Sequence, residues 1–153
     1  MFTPEDVRQA FPAGVFEKPA DPTMIAKAEN LLGHRLPEQL KKLFFDFNGF
    51  LGPTAASFLF PILDRPRPGA ESLVTFTQFF RSEDYFPDWL KQAVAIGGNG
   101  TGTTWFILLD ANESVVQWDA EWEEYEPIEG NLLDAWMAEK KLYDVNQFDI
   151  KIE

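Results

Sequence analysis

The sequence contains no cysteine, which excludes disulfide bonds, thiolate nucleophiles and cysteine-ligated metal sites. Histidine is nearly absent as well, since His34 is the only one. A metal site built from several histidines is therefore impossible, and a Ser-His-Asp triad would have to use His34. This residue lies in a short linker between two predicted helices, without a neighbouring Ser or Asp pattern, and we interpret it as a hydrated surface residue.

Long apolar runs are missing too. No run approaches the roughly 18–20 residues that a membrane span needs. The N-terminal residues MFTPEDVRQ lack the basic and apolar regions of a signal peptide. We therefore expect a cytoplasmic protein, and the absence of cysteine fits a reducing compartment.

Positive charge is scarce. Lys and Arg number 13 against 25 Asp and Glu, which gives a formal net charge of -12. Such a chain repels nucleic acid and anionic membranes, so we expect neither as a partner. A basic protein would be attracted to it. Acidity that only keeps the protein soluble is the alternative interpretation.

Apolar residues are plentiful, at 45% of the 153 residues, and include 15 Phe and 5 Trp. This composition argues against disorder and suffices for one hydrophobic core. We expect a single domain over residues 1–153, with a monomer as the default state.

Capping signals and apolar spacing predict several helices. Thr3-Pro4 and Asp21-Pro22 are typical helix starts, and Gly33 is a typical stop. The predicted helices cover residues 2–11, 22–32 and 37–47, with another beginning at Asn131 and a short one introduced by Pro87. Residues 57–63 suit a short edge strand, 65–69 an exposed loop, and 73–80 either a helix or a strand.

The second half of the chain predicts a β-meander. A strand at 94–96 enters a glycine loop at 97–102, and a strand at 103–109 follows. A turn at 110–113 leads to a strand at 115–118. Helices, a meander and a closing helix indicate an α+β domain with a mostly antiparallel or mixed sheet packed by several helices.

The glycine loop resembles a phosphate-binding loop only superficially. Gly98, Gly100 and Gly102 alternate, but phosphate motifs require a helix directly after the loop. Here β-branched and aromatic residues follow, and the P-loop lysine is missing. We interpret the loop as a connection between strands.

Carboxylates are too numerous to exclude a hydrolase with a paired acid and base. No pair stands out, however, and no calcium-loop pattern occurs. We expect no enzyme activity, no catalytic residue, no cofactor and no metal.

The most informative segment runs from Gln92 to Glu139, which holds ten acids and no Lys or Arg. Uncompensated charge costs stability, and Trp and Tyr are favoured interface anchors. We therefore predict a partner-binding surface, with Trp122 and Tyr125 as anchors. Its residues are Trp118, Asp119, Glu121, Trp122, Glu123, Glu124, Tyr125 and Glu126. The alternative is that Trp118 and Trp122 belong to the core and the acids form an ordinary solvated face.

Three segments together resemble the SUKH superfamily. Residues 25–40, IAKAENLLGHRLPEQL, and the later Asn48-Gly49 are similar to its signature I-x-x-x-E-x-x-L-G-x-x-L-P…N-G. The segment VAIGGNGTG at 94–102 is similar to its glycine loop, and the strands at 104–109 and 115–119 to its hairpin. The resemblance is strongest over residues 22–140.

This superfamily includes fungal cell-wall assembly regulators and bacterial immunity proteins of polymorphic toxin systems. The resemblance implies an α+β fold without catalytic residues and a cytoplasmic protein that neutralises a cognate toxin, expected here to be basic and nuclease-like. A regulatory or scaffold domain is the alternative. The fungal relatives carry long disordered flanks, of which this sequence shows little, so we favour immunity.

Overall fold

A computed structural model describes residues 1–53, 55–65 and 71–152, with side chains up to residue 144. The helices in these ranges are α1 (Pro4–Ala10), α2 (Pro22–Leu32), α3 (Glu38–Asp46), α4 (Leu73–Arg81) and α5 (Leu132–Ile152). The strands are β1 (Val15–Phe16), β2 (Phe50–Leu51), β3 (Ser57–Leu59), β4 (Val94–Gly98), β5 (Thr103–Ile107), β6 (Val115–Asp119) and β7 (Glu124–Ile128). The loop expected at 65–69 lies, apart from Arg65, outside the described residues.

Local signals begin and end the helices as predicted. The side chains of Thr3 and Asp21 accept hydrogen bonds from the third residue of α1 and α2, which satisfies amides that have no partner within the helix. Gly33 ends α2 in the left-handed conformation, with φ of 82°. Asn131 caps α5 by accepting from the Asp134 N–H at 2.9 Å. These helix predictions are confirmed.

Two antiparallel sheets form the β part of the fold, in the orders β1-β2-β3 and β4-β5-β6-β7. The second is the predicted meander, extended by one strand. The two sheets meet where the Phe60 N–H donates to the Ile96 carbonyl at 2.8 Å. The α+β prediction is confirmed, and the sheets are antiparallel throughout.

Several elements differ from the sequence-based expectation or were left open by it. The ambiguous segment at 73–80 is helix α4, because Ser72 caps it and Leu73, Thr77 and Phe80 share its buried face. The short helix after Pro87 is a 3-10 turn at Asp88–Leu90. Strands β1, β2 and β7 were not predicted. The first two have only two residues each, and the acidic residues of β7 resemble a loop.

The four-stranded sheet separates two apolar clusters. The larger contains Phe44, Phe50, Phe58, Trp105 and Trp136, all fully buried. The smaller lies between the opposite face and α4. Its buried members are Phe80, Leu90, Ala93, Ala95, Phe106 and Val116, with Phe76, Phe86, Leu108, Trp118 and Tyr125 partly buried against them. This smaller cluster supports the end of β6 and the beginning of β7, where the predicted binding residues lie.

Candidate protein-binding hairpin

The predicted binding residues lie on one β-hairpin, residues 118–126, called here the acidic hairpin. Asp119 and Glu124 are the last paired residues, and residues 120–123 form its tip. The Asp119 carboxylate accepts from the Glu121 N–H at 2.9 Å, and the Ala120 N–H donates to the Gly102 carbonyl at 2.8 Å. Because these bonds attach the tip to itself and to the glycine loop, the tip has a defined shape.

Strand alternation divides the hairpin into an inner and an outer set. Trp118 and Tyr125 are cross-strand partners on the face that α4 covers. The Trp118 ring lies 5.1 Å from Phe80, and the Tyr125 ring lies 5.7 Å from Phe86, both edge-on. These two aromatics are half-buried and hold the hairpin against the smaller cluster.

The Tyr125 hydroxyl is buried and has no hydrogen-bond partner among the described residues. Burial, together with the nearby Tyr85 and Glu83, raises the pKa of Tyr125 to about 12. The phenol is therefore neutral at physiological pH and acts in packing.

The outer set is acidic and exposed. Glu121, Glu123, Glu124 and Glu126 are exposed, and Asp119 is half-buried. Trp122, at the tip, is 69% exposed, the most exposed large aromatic among the described residues. Of the two expected anchors, Trp122 is therefore free to contact a partner, whereas Tyr125 offers only part of its ring.

No cation neutralises these acids among the described residues. The ion pairs found there, Arg8–Asp46, Lys41–Glu29, Lys41–Glu38 and Arg65–Glu17, lie elsewhere. Asp119 stands directly opposite Glu124, and like charges in a cross-strand pair are destabilising. The hairpin therefore carries repulsion that a basic partner would relieve.

Sequence reasoning missed a neighbouring segment, the loop at residues 82–89. The loop follows α4 and contacts the hairpin through Phe86. Its sequence, SEDYFPDW, has three acids, three aromatics and no Lys or Arg. That composition was a usable signal, but nothing in the sequence shows that the loop lies beside residues some forty positions later.

The glycine loop has the structural role that was expected of it. The Asn99 side chain accepts from the N–H groups of Thr101 and Thr103 at 2.9 and 3.0 Å, so one amide within the loop and the first amide of β5 are already bonded. Strand β5 follows directly, without the helix that a phosphate site requires.

His34 is half-buried and engaged within the fold. Its Nε2 accepts from the Arg81 guanidinium at 2.6 Å, and its Nδ1 donates to the Arg35 carbonyl at 2.9 Å. It is thus less hydrated than expected. The described residues contain no group of His, Asp or Glu arranged to hold a metal, and none of the helices in this part of the chain could cross a membrane.

Most of the chain matches a known protein family. A family model described as the SMI1 / KNR4 family (SUKH-1) matches residues 19–139, most of the chain. The chain belongs to the SMI1/KNR4 (SUKH-1) family. The match contains the acidic hairpin and loop 82–89, and it ends within α5. Comparison with the curated proteins gives no match.

Residues of the SUKH signature make hydrogen bonds and an ion pair that join elements of the fold. Glu29 accepts from the Leu36 N–H at 2.8 Å and lies 3.1 Å from the Lys41 ammonium, which joins the end of α2 to α3. Asn48 accepts from the Ile62 N–H at 2.8 Å. These contacts explain why the SUKH pattern identifies the architecture, while the acidic hairpin supplies a separate, charged surface.

Proposed function

We propose that this protein is an immunity protein that binds and neutralises a cognate toxin of a bacterial polymorphic toxin system. Membership of the SMI1/KNR4 (SUKH-1) family supports a protein-binding domain. The observation that carries the proposal is the acidic hairpin. Its exposed carboxylates form no ion pair among the described residues, and they surround an exposed tryptophan.

The acidic charge of the hairpin supports a basic partner. Enzymes that act on nucleic acids present positive surfaces to phosphate, so a nuclease-type toxin is complementary to this charge. An acidic inhibitor is steered to such a surface and associates rapidly. Trp122 supplies the apolar contact that charge alone lacks, because tryptophan is among the residues that contribute most to interface energy.

The same features support binding rather than catalysis at this site. The carboxylates at the tip are exposed, so they lack the desolvated environment that tunes catalytic acids and bases. We propose a non-enzymatic protein that acts in the cytoplasm as a monomer, without cofactor or metal.

The second candidate function is a regulatory or scaffold domain related to the cell-wall assembly regulators. The family match supports it equally, since membership of the family does not distinguish the two roles. The two differ in the partner, which is a toxin encoded nearby in one case and a cellular protein in the other.

Charge reversal of the hairpin tests the proposal. The variant Glu121→Lys/Glu123→Lys/Glu124→Lys is compared with Glu5→Lys/Glu71→Lys/Asp144→Lys, which changes the net charge equally at exposed positions outside the hairpin. Each is co-expressed with the toxin encoded beside the gene, and the affinity of the purified pair is measured by calorimetry.

We expect the wild type and the control to rescue growth and bind the toxin. The hairpin variant should bind about 10–100-fold more weakly and associate more slowly. Equal binding by both variants would remove the hairpin as the site. Absence of rescue and of a complex with the wild type would favour the regulatory function.

A further inference from the structure

The loop at residues 82–89 has the same character as the acidic hairpin. Tyr85 is 58% exposed and Trp89 is 50% exposed, and Asp84 and Asp88 are exposed acids. Exposed aromatics surrounded by acids form a surface suited to a partner with both apolar and cationic groups.

Packing holds this loop beside the hairpin. The Phe86 ring meets the Tyr125 ring edge-on, with an interplanar angle of 88°. The loop is closed by backbone bonds from the Glu83 N–H to the Phe80 carbonyl at 3.2 Å and from the Phe86 N–H to the Glu83 carbonyl at 3.1 Å. The loop and the hairpin therefore form one continuous surface.

The two segments also interact electrostatically. The pKa of Tyr85 is raised by the Glu83 carboxylate, by slight desolvation and by the Glu123 carboxylate. Since Glu83 belongs to the loop and Glu123 to the hairpin tip, the phenol of Tyr85 lies within the field of both.

The size of the hairpin requires a second segment. A stable protein interface covers about 800 Å² on each partner, or roughly 20–30 residues. The tip and its two flanking strand ends, residues 118–126, are too few. Loop 82–89 is a neighbouring surface that continues both the aromatic and the acidic character of the hairpin.

Charge complementarity favours the same partner, a basic protein, for the loop and for the hairpin. The loop holds three acids and the hairpin five, with no Lys or Arg in either segment: Glu83, Asp84, Asp88, Asp119, Glu121, Glu123, Glu124 and Glu126. A basic protein surface is attracted across the whole area, whereas an acidic or neutral one gains nothing from it.

We propose that loop 82–89 is the second half of the toxin interface, with Tyr85 as an anchor beside Trp122 and with Glu83 and Asp84 facing basic residues of the toxin. This inference rests on the proposed function, because the occupant is the same basic toxin domain. It adds that one partner surface spans the hairpin tip and the loop together.

Two loop variants, Tyr85→Ala and Glu83→Lys/Asp84→Lys, test the inference against matched controls. Phe45→Ala removes an aromatic that is 48% exposed on α3, and Glu5→Lys/Glu71→Lys reverses two exposed acids elsewhere. Affinity and association rate for the toxin domain encoded beside the gene are measured at two salt concentrations. Because Tyr85 is exposed and the acids are at the surface, each variant should keep the melting temperature of the wild type.

We expect Tyr85→Ala to weaken binding about tenfold or more, and the double reversal to slow association, most strongly at low salt. The controls should remain within about twofold of the wild type, as expected for positions outside an interface. If the loop variants bind like the wild type while the hairpin variant is weakened, the loop is not part of the interface and the proposed function stands. If the wild type forms no complex with that domain, the proposed function fails and this inference fails with it.

Discussion

Replacing Gly97 with alanine should be among the most destabilising small substitutions in this protein. Gly97 lies in β4 where this strand contacts β3. A Cβ atom added there would lie 1.7 Å from the Phe58 carbonyl oxygen and 2.4 Å from its carbon. Since real Cβ contacts are essentially never shorter than 3.0 Å, the two strands would have to separate by more than 1 Å.

The cost of that separation can be worked out from its contacts. Overpacking a close contact costs about 1–3 kcal/mol, and more where backbone rather than a flexible side chain must move. Moving β3 also strains the 2.8 Å bond from the Phe60 N–H to the Ile96 carbonyl, which contributes about 1 kcal/mol. Phe58 and Leu59 are buried, so their packing is loosened as well. We expect a loss of about 3 kcal/mol or more in the free energy of unfolding.

Gly33→Ala is the matched control. Gly33 has φ of +82°, but a Cβ there would meet nothing within 4 Å, so only the backbone conformation is penalised. That penalty is about 1–2 kcal/mol. Urea unfolding of the wild type and both variants, with the slope m unchanged, measures the two losses. A loss at Gly97 no larger than at Gly33 would refute the close approach of the strands as the reason for this glycine.

Two further substitutions test the roles of single polar groups. Tyr125→Phe removes a buried hydroxyl without a described partner, so stability at pH 7 should stay equal or rise by about 1 kcal/mol. Because the folded pKa of Tyr125, about 12, exceeds the unfolded value, the folded state holds the proton longer. Wild-type stability should therefore fall between about pH 10 and 12, and the decline should be shallower in Tyr125→Phe; equally steep declines in urea titrations would contradict this. Glu29→Gln tests the link between α2 and α3. Burial opposes the charge of Glu29, but the Leu36 N–H and Lys41 outweigh burial and lower its pKa. The contribution is thus present at pH 7 and lost as pH falls through the folded pKa, so the variant should cost about 1 kcal/mol at pH 7 and less than that at pH 3. The same cost at both pH values would exclude the charge as the cause.

Prediction of the candidate site from sequence was partial, for a physical reason. The acidic segment could be located because charge is a property of composition. Which of its aromatics is exposed depends on strand pairing, because neighbours along a strand point to opposite sides. Pairing with β6 buries part of Tyr125 and leaves Trp122 at the tip. Loop 82–89 could not be placed beside the hairpin, since that contact joins residues distant in the chain.

By itself, the sequence determined the features that arise within a few residues. The starts of α1 and α2, the stop at Gly33 and the turns of the meander depend on capping groups and backbone freedom at those positions. Tertiary structure alone decided that residues 73–81 form a helix, that residues 124–128 form a strand, and that Gly97 faces the Phe58 carbonyl. In each of these the competing conformations have similar local energies, and burial or pairing with a distant segment selects one.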